Sequence, residues 1–91
     1  IIAGKNARFA LTESALGIMP GMGGTQTLPR RIGHARALEM LYTAKPVDAE
    51  KAFAWGLANR IVPPEALMDE ALELARAVAA NAPLSLRAIK Q

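Results

Sequence analysis

The chain has 91 residues, of which 52% are hydrophobic, and 11 Lys and Arg against 8 Asp and Glu give it a formal net charge of +3. This length allows one small domain, and this composition excludes a disordered chain. The absence of cysteine excludes disulfides and a cysteine nucleophile, and with a single histidine no metal-binding constellation remains.

Two short β-prone pieces come first along the chain. Residues 1–3 and 8–11 flank the turn sequence GKN, and we expect them to form one strand pair. Glu13 follows the second piece directly, so it is expected at the end of a strand.

Four or five short helices are predicted to follow. The first begins at residue 24 or 25 and ends near 33, with Pro29 weakening its middle by removing a backbone donor. The second covers residues 34–43 and carries three apolar side chains on one side, namely Leu38, Leu41 and Tyr42.

The second half of the chain is predicted to be mainly helical. Asp48 is a good N-cap for AEKAFAWG, where Gly56 would accept the left-handed conformation that ends a helix. ANRIVP is predicted as a short extended piece, and PLSLRAIKQ begins a last helix. The clearest helix covers residues 64–80, and one of its faces is apolar: Leu67, Ala71, Leu74 and Val78. Such a stripe needs a partner surface, which is typical of a packing or assembly unit.

Three glycines, at positions 21, 23 and 24, stand within four residues. GMGGTQ is not a dinucleotide fingerprint, because Gln26 occupies the place of the third glycine, and no Lys-Ser or Lys-Thr follows to make a Walker loop. From the residues alone, a structural turn and an oxygen-binding loop at a helix N-terminus both explain the glycines.

The stretch ARFALTESALGIMPGMGGTQTLPRRIG resembles the signature region of the enoyl-CoA hydratase/isomerase (crotonase) superfamily. The matching features are the strand ending in Arg-Phe, the Glu a few residues later, and LG, PG, GGTQ, LPR and IG, and the resemblance continues to the last helices. It implies an α/β class with the crotonase-like ββα spiral fold, of which this chain is the mainly helical C-terminal part with one short strand pair. Residues 1–45 would end the spiral core with the glycine-rich active-site loop, and 46–91 would form the helical region for packing and oligomerisation into trimers or hexamers.

The resemblance also implies an enoyl-CoA hydratase-like lyase that adds water across the 2,3 double bond of an acyl-CoA thioester. Glu13 matches the family's second glutamate and would protonate the α carbon, and the amide of Gly21 would help to hold the catalytic water. Coenzyme A would enter as part of the substrate, with no further cofactor. The family's other glutamate and both oxyanion amides lie upstream of this region, so we expect the 91 residues alone to be inactive.

Three residues of the glycine-rich stretch are candidates for substrate binding. Met19, Pro20 and Met22 are expected to line the acyl pocket, although filling of a turn would explain the methionines equally well. Thr12 stands where many relatives carry proline, and Thr27 where arginine is common, which leaves the substrate and reaction open. Isomerisation, dehydration and a non-catalytic oligomerisation or CoA-binding module are the alternatives.

The remaining expectations concern partners and single residues. The dispersed charge and few aromatic residues favour no nucleic-acid partner, and the start IIAGKNARFAL resembles neither a signal peptide nor a membrane span. We therefore expect no membrane partner and a cytoplasmic protein, and the start in mid-pattern indicates the rear part of a longer protein.

His34 is expected to cap a helix or to lie at the surface. Arg30 and Arg31 are expected to form a solvated helix end. Three side chains are expected to lie in the core: Phe53, Trp55 and Leu57. By resemblance, Lys90 lies on a helix that contributes to CoA binding.

Overall fold

The computed structural model describes all 91 residues, Ile1–Gln91, and contains four short strands, five helices and two 3₁₀ turns. The strands are β1 (Ile2–Gly4), β2 (Arg8–Phe9), β3 (Val47–Asp48) and β4 (Arg60–Val62). The helices are α1 (Gly24–Ile32), α2 (His34–Thr43), α3 (Ala49–Ala54), α4 (Leu67–Ala79) and α5 (Pro83–Lys90). The 3₁₀ turns cover Glu13–Leu16 and Pro64–Ala66.

The ends of α3 confirm the predictions for Asp48 and Gly56. Asp48 accepts the backbone N–H of Lys51 at 2.8 Å and so caps α3. Gly56, just past that helix, has a φ of 82°, the left-handed conformation that glycine adopts without a Cβ penalty. Pro29 lies inside α1, which continues past it to Ile32.

The strand pairing differs from the single pair that the sequence predicts. β1 pairs in parallel with β4, and β2 pairs antiparallel with β3. The hydrogen bond from the N–H of Lys5 to the carbonyl of Val62, at 2.9 Å, continues the β1–β4 ladder beyond the strand end. The prediction was wrong because it gave each strand its nearest neighbour in sequence, whereas a parallel pair needs a long crossover, here supplied by α1, α2 and α3. Both pairs join residues before 45 to residues after it, and the proposed division at 45 stays a prediction.

The core lies between the strands and the first three helices. Its main cluster has ten buried residues, five of which are alanines: Ala3, Leu28, Ile32, Ala37, Met40, Val47, Ala49, Ala52, Leu57 and Ala58. No residue of α4 or α5 is buried, so these two helices leave their apolar faces exposed. The longest helix, α4, has 13 residues, and none of the helices combines the length and the apolar character of a membrane span.

Two of the three side chains predicted for the core contact it. Leu57 is buried and Trp55 is half-buried against the cluster, but Phe53 is 51% exposed. The prediction for Phe53 is wrong because α3 has only six residues and buries Ala49 and Ala52. Phe53 follows Ala52 and therefore points about 100° away from it around the helix.

Candidate active site

Glu13 begins the first 3₁₀ turn rather than standing at the end of a strand, because β2 already ends at Phe9. The turn closes on itself through the N–H of Ile18, which donates to the carbonyl of Glu13 at 3.2 Å. Gly17 ends the turn with a φ of 75°, a conformation that a residue with a Cβ rarely adopts. The chain then enters the segment that we call the glycine loop, residues 17–24.

The Glu13 carboxylate is partly sheltered, and one of its oxygens has no hydrogen-bond partner. Glu13 as a residue is half-buried, whereas its Oε2 atom is buried and receives no donor from any of the 91 residues. No other buried side-chain nitrogen or oxygen in the structure is without a partner. Leaving a buried acceptor unmatched is costly, and such atoms in native proteins call for an explanation such as a catalytic role.

The fold of the chain gives a structural reason for two of the three glycines of the motif, Gly23 and Gly24, but not for Gly21. Gly23 has a φ of 86° and caps α1, its carbonyl accepting the N–H groups of Gln26 and Thr27 at 2.9 Å each. Gly24 is tightly packed, because a Cβ there would stand 3.1 Å from Pro20 Cβ and the proline would have to shift by a few tenths of an ångström. Gly21 has neither reason: it is exposed, its φ lies outside the left-handed range, and an added Cβ would meet nothing within 4 Å.

Two of the three predicted substrate-binding residues lie in one groove. Met19 and Pro20 line a groove of about 310 Å³ together with Ile18 and residues of α1 and α2. Met22 lies outside this groove and its side chain is fully exposed. Glu13 and Gly21 do not line the groove, although Ser14, next to Glu13, does.

Sequence reasoning missed the contribution of α2 to this groove. Leu38, Leu41 and Tyr42 line it, while the buried face of α2 is formed by Ala37 and Met40. The signal was present, since those three side chains had been assigned to one apolar side of the helix. What the sequence did not show is that the glycine loop faces this side.

The other candidate residues lie at the surface. His34 is exposed at the start of α2, where it makes no side-chain cap and lines the rim of the same groove, so its surface position is confirmed. Arg30 donates to the carbonyl of Gln26 within its own helix at 3.0 Å, and both Arg30 and Arg31 are exposed in the last turn of α1. Lys90 is exposed at the end of α5. No three His, Cys, Asp or Glu side chains come together in a way that would hold a metal ion.

Comparison with known proteins agrees with the resemblance. A sequence model of the enoyl-CoA hydratase/isomerase family matches residues 1–91. The carnitinyl-CoA dehydratase of Citrobacter koseri is 46% identical over 91 residues, which are 100% of this chain and 35% of that protein. The short-chain-enoyl-CoA hydratase of Clostridium acetobutylicum is 43% identical over 90 residues, 99% of this chain and 34% of that one.

Solved structures share the fold. An enoyl-CoA hydratase from Bacillus anthracis matches with a TM-score of 0.91 at 44% identity, over 94% of this chain and 33% of that one. An enoyl-CoA hydratase subunit from Geobacillus kaustophilus gives a TM-score of 0.92 at 47% identity, over 98% and 35%. The expected fold class is thereby confirmed, and the chain spans about a third of the length of the curated relatives it matches.

Proposed function

The chain belongs to the enoyl-CoA hydratase/isomerase family, and we propose that it carries the acid/base glutamate of a hydratase that acts on 2-enoyl-CoA thioesters. One observation carries the proposal: Glu13 holds a buried carboxylate oxygen without a partner, on a turn that leads directly into the glycine loop. A sheltered carboxyl of this kind is suited to exchange a proton with a substrate held against that loop.

The proposed reaction adds one water molecule across the C2–C3 double bond. The water oxygen bonds to C3 as a hydroxyl, and Glu13 delivers a proton to C2, so the product is a 3-hydroxyacyl thioester. The proton that the water loses goes to a second carboxylate outside these 91 residues, and its return to Glu13 completes the turnover. The reaction transfers no electrons to a cofactor, and coenzyme A takes part only as a portion of the substrate.

Gly21 would hold the attacking water through its backbone N–H. The residue is exposed, and neither its φ nor its packing against the chain requires a glycine. The lack of a Cβ there leaves the backbone open to close approach from outside, which supports a role toward a ligand. Met19 and Pro20, in the adjoining groove, would contact the acyl group, whereas Met22 lies outside that groove and its contact with the acyl group stays a prediction.

The groups that stabilise the thioester oxyanion would also come from outside this chain. Charge develops on the thioester oxygen as C2 accepts a proton, and donors aimed at that oxygen supply much of the rate enhancement in such reactions. Without them, and without the second carboxylate, we expect no measurable turnover by the 91 residues alone.

We further propose that the full-length protein is a trimer or a hexamer in which the apolar face of α4 is covered. Leu67, Leu74 and Val78 share one face of α4 with Ala71. Their exposed fractions are 37%, 38% and 47%, so this apolar face is largely open to solvent. A contiguous exposed apolar face of this kind is typical of an interaction surface.

Dehydration and double-bond isomerisation are the alternative reactions, and the carnitinyl-CoA dehydratases among the relatives favour the first. The test measures three rates in the full-length protein: hydration of crotonyl-CoA, isomerisation of a 3-enoyl-CoA and dehydration of carnitinyl-CoA, the compound in the dehydratase relatives' name. Dehydration of the 3-hydroxyacyl-CoA product is only the reverse of the hydration, so a dehydratase is supported by faster turnover of carnitinyl-CoA than of crotonyl-CoA. Hydration faster than isomerisation by at least about tenfold supports the hydratase, and the reverse order supports an isomerase. A stable trimer with no turnover and no affinity for CoA would support a non-catalytic module instead.

A further inference from the structure

We propose that Ser14 is a positioning residue for Glu13, acting through a hydrogen bond to the C-terminal end of α2. The inference rests on the function proposed above for Glu13. The inference is that the orientation of the Glu13 carboxylate depends on a second residue, Ser14, and on its contact with a distant part of the chain.

The contact is short and joins two distant segments. Ser14 Oγ donates to the backbone carbonyl of Leu41 at 2.6 Å, across 27 positions in the sequence. This distance lies at the short end of the range for O–H···O hydrogen bonds. Because Ser14 follows Glu13 directly, the bond fixes the backbone one residue away from the proposed acid/base.

The end of α2 leaves the Leu41 carbonyl available. In a continuing helix this oxygen would accept the N–H of residue 45, four positions later. Ala44 instead turns left-handed, with a φ of 54°, and the N–H of Lys45 donates to Thr43 Oγ1 at 3.3 Å. The Leu41 carbonyl is therefore one of the terminal acceptors that a helix cannot satisfy by itself, and the Ser14 hydroxyl satisfies it.

No other hydrogen bond ties this turn to the rest of the fold. The turn's own backbone bonds are local: the N–H of Ala15 donates to Thr12 at 3.1 Å, and that of Gly17 to Ser14 at 3.2 Å. Of the residues in the turn Glu13–Leu16, only Ser14 makes a hydrogen bond to another helix or strand, through its hydroxyl. Losing it would leave the turn placed by side-chain packing alone and would widen the range of Glu13 orientations.

The test is a double-mutant cycle in the full-length protein. Ser14→Ala removes the hydroxyl, Ser14→Thr keeps one, and Glu65→Ala is the control, since it truncates an exposed polar side chain in the other 3₁₀ turn. Each is made alone, and Ser14→Ala is also combined with Glu13→Gln. The measurements are kcat and KM for hydration of crotonyl-CoA, with the thermal midpoint as the readout for folding.

We expect Ser14→Ala to lower kcat by about three- to tenfold, the effect of one neutral hydrogen bond, with KM changed by less than about twofold. Ser14→Thr should restore most of the lost kcat, and Glu65→Ala should leave the parental kcat unchanged. In the Glu13→Gln background, Ser14→Ala should cause no further loss, since the group that it positions is already gone.

Two outcomes would overturn the inference while leaving the proposed function in place. In one, Glu13→Gln lowers kcat by about a hundredfold but Ser14→Ala keeps the parental kcat. In the other, Ser14→Ala lowers kcat by the same factor with Glu13 and with Gln at position 13, which would make Ser14 a structural residue only. A Glu13→Gln variant with full kcat would overturn the proposed function, and this inference with it.

Discussion

A Cβ atom added to Gly24 would lie 3.1 Å from the Cβ of Pro20 and 3.1 Å from Leu11 Cδ1, whereas one added to Gly21 would meet no atom within 4 Å. The chain itself therefore explains Gly24 by packing but does not explain Gly21. If Gly21 serves a ligand, the two positions must respond differently to the same substitution.

We therefore expect Gly24→Ala to reduce the stability of the protein and Gly21→Ala to reduce its activity. We expect Gly24→Ala to lower the free energy of unfolding of the full-length protein by about 1–3 kcal/mol, because the new methyl group overpacks the contact with Pro20. Gly21→Ala should change it by less than about 0.5 kcal/mol, yet lower kcat by at least about tenfold by crowding the water that the Gly21 N–H is proposed to hold. Denaturant unfolding and steady-state hydration assays measure the two quantities. Full activity in Gly21→Ala would remove Gly21 from the proposed site.

The left-handed residue at the end of α2 offers a stabilising change. Ala44 has a φ of 54°, which costs a residue with a Cβ about 1–2 kcal/mol relative to the right-handed form. Ala44→Gly should therefore raise the urea midpoint of the full-length protein, with a gain of up to about 1 kcal/mol after the extra chain entropy of glycine. Ala35→Gly, at an exposed right-handed position of the same helix, is the control and should lower the midpoint. Equal losses in both variants would contradict this account of the helix end.

The exposed apolar face of α4 predicts that contacts between subunits depend on Leu74. If the full-length protein forms the proposed trimer or hexamer, Leu74→Lys should convert it to smaller species, because the change places a charge in an apolar contact. Glu73→Lys introduces the same side chain at the preceding residue, off the apolar face, and should leave the assembly intact. Analytical ultracentrifugation distinguishes the two results. An unchanged mass for Leu74→Lys would show that this face is not part of the subunit contact.

Local chemistry in the sequence was enough to predict most of the helices. The carboxylate of Asp48 and the glycine at position 56 act within a few residues of their own positions, so their roles follow from residue type and spacing. Strand pairing was beyond such reasoning, because the partners of β1 and β2 come from the second half of the chain. The exposure of Phe53 was missed for a similar reason, since the buried side of so short a helix depends on what packs against it.

The candidate site shows the same division between local and distant determinants. Glu13 and Gly21 were assigned to the site because a contiguous stretch resembles the family's signature region, and the requirement of Gly23 for a left-handed φ is local as well. The unpartnered Glu13 Oε2 and the bond from Ser14 to Leu41 depend on segments that meet only in the folded chain. A serine one residue after a glutamate gives no sign in the sequence of which carbonyl it will contact.

The most direct test of the central claim is the kcat of Glu13→Gln in the full-length protein. Glutamine keeps the size of the side chain but cannot deliver a proton from a carboxyl group, so we expect kcat for crotonyl-CoA hydration to fall by about a hundredfold or more. Glu50→Gln, at an exposed carboxylate in the first turn of α3, is the matched control and should keep the parental kcat. Parental kcat in a folded Glu13→Gln variant would contradict the assignment of Glu13 as the acid/base.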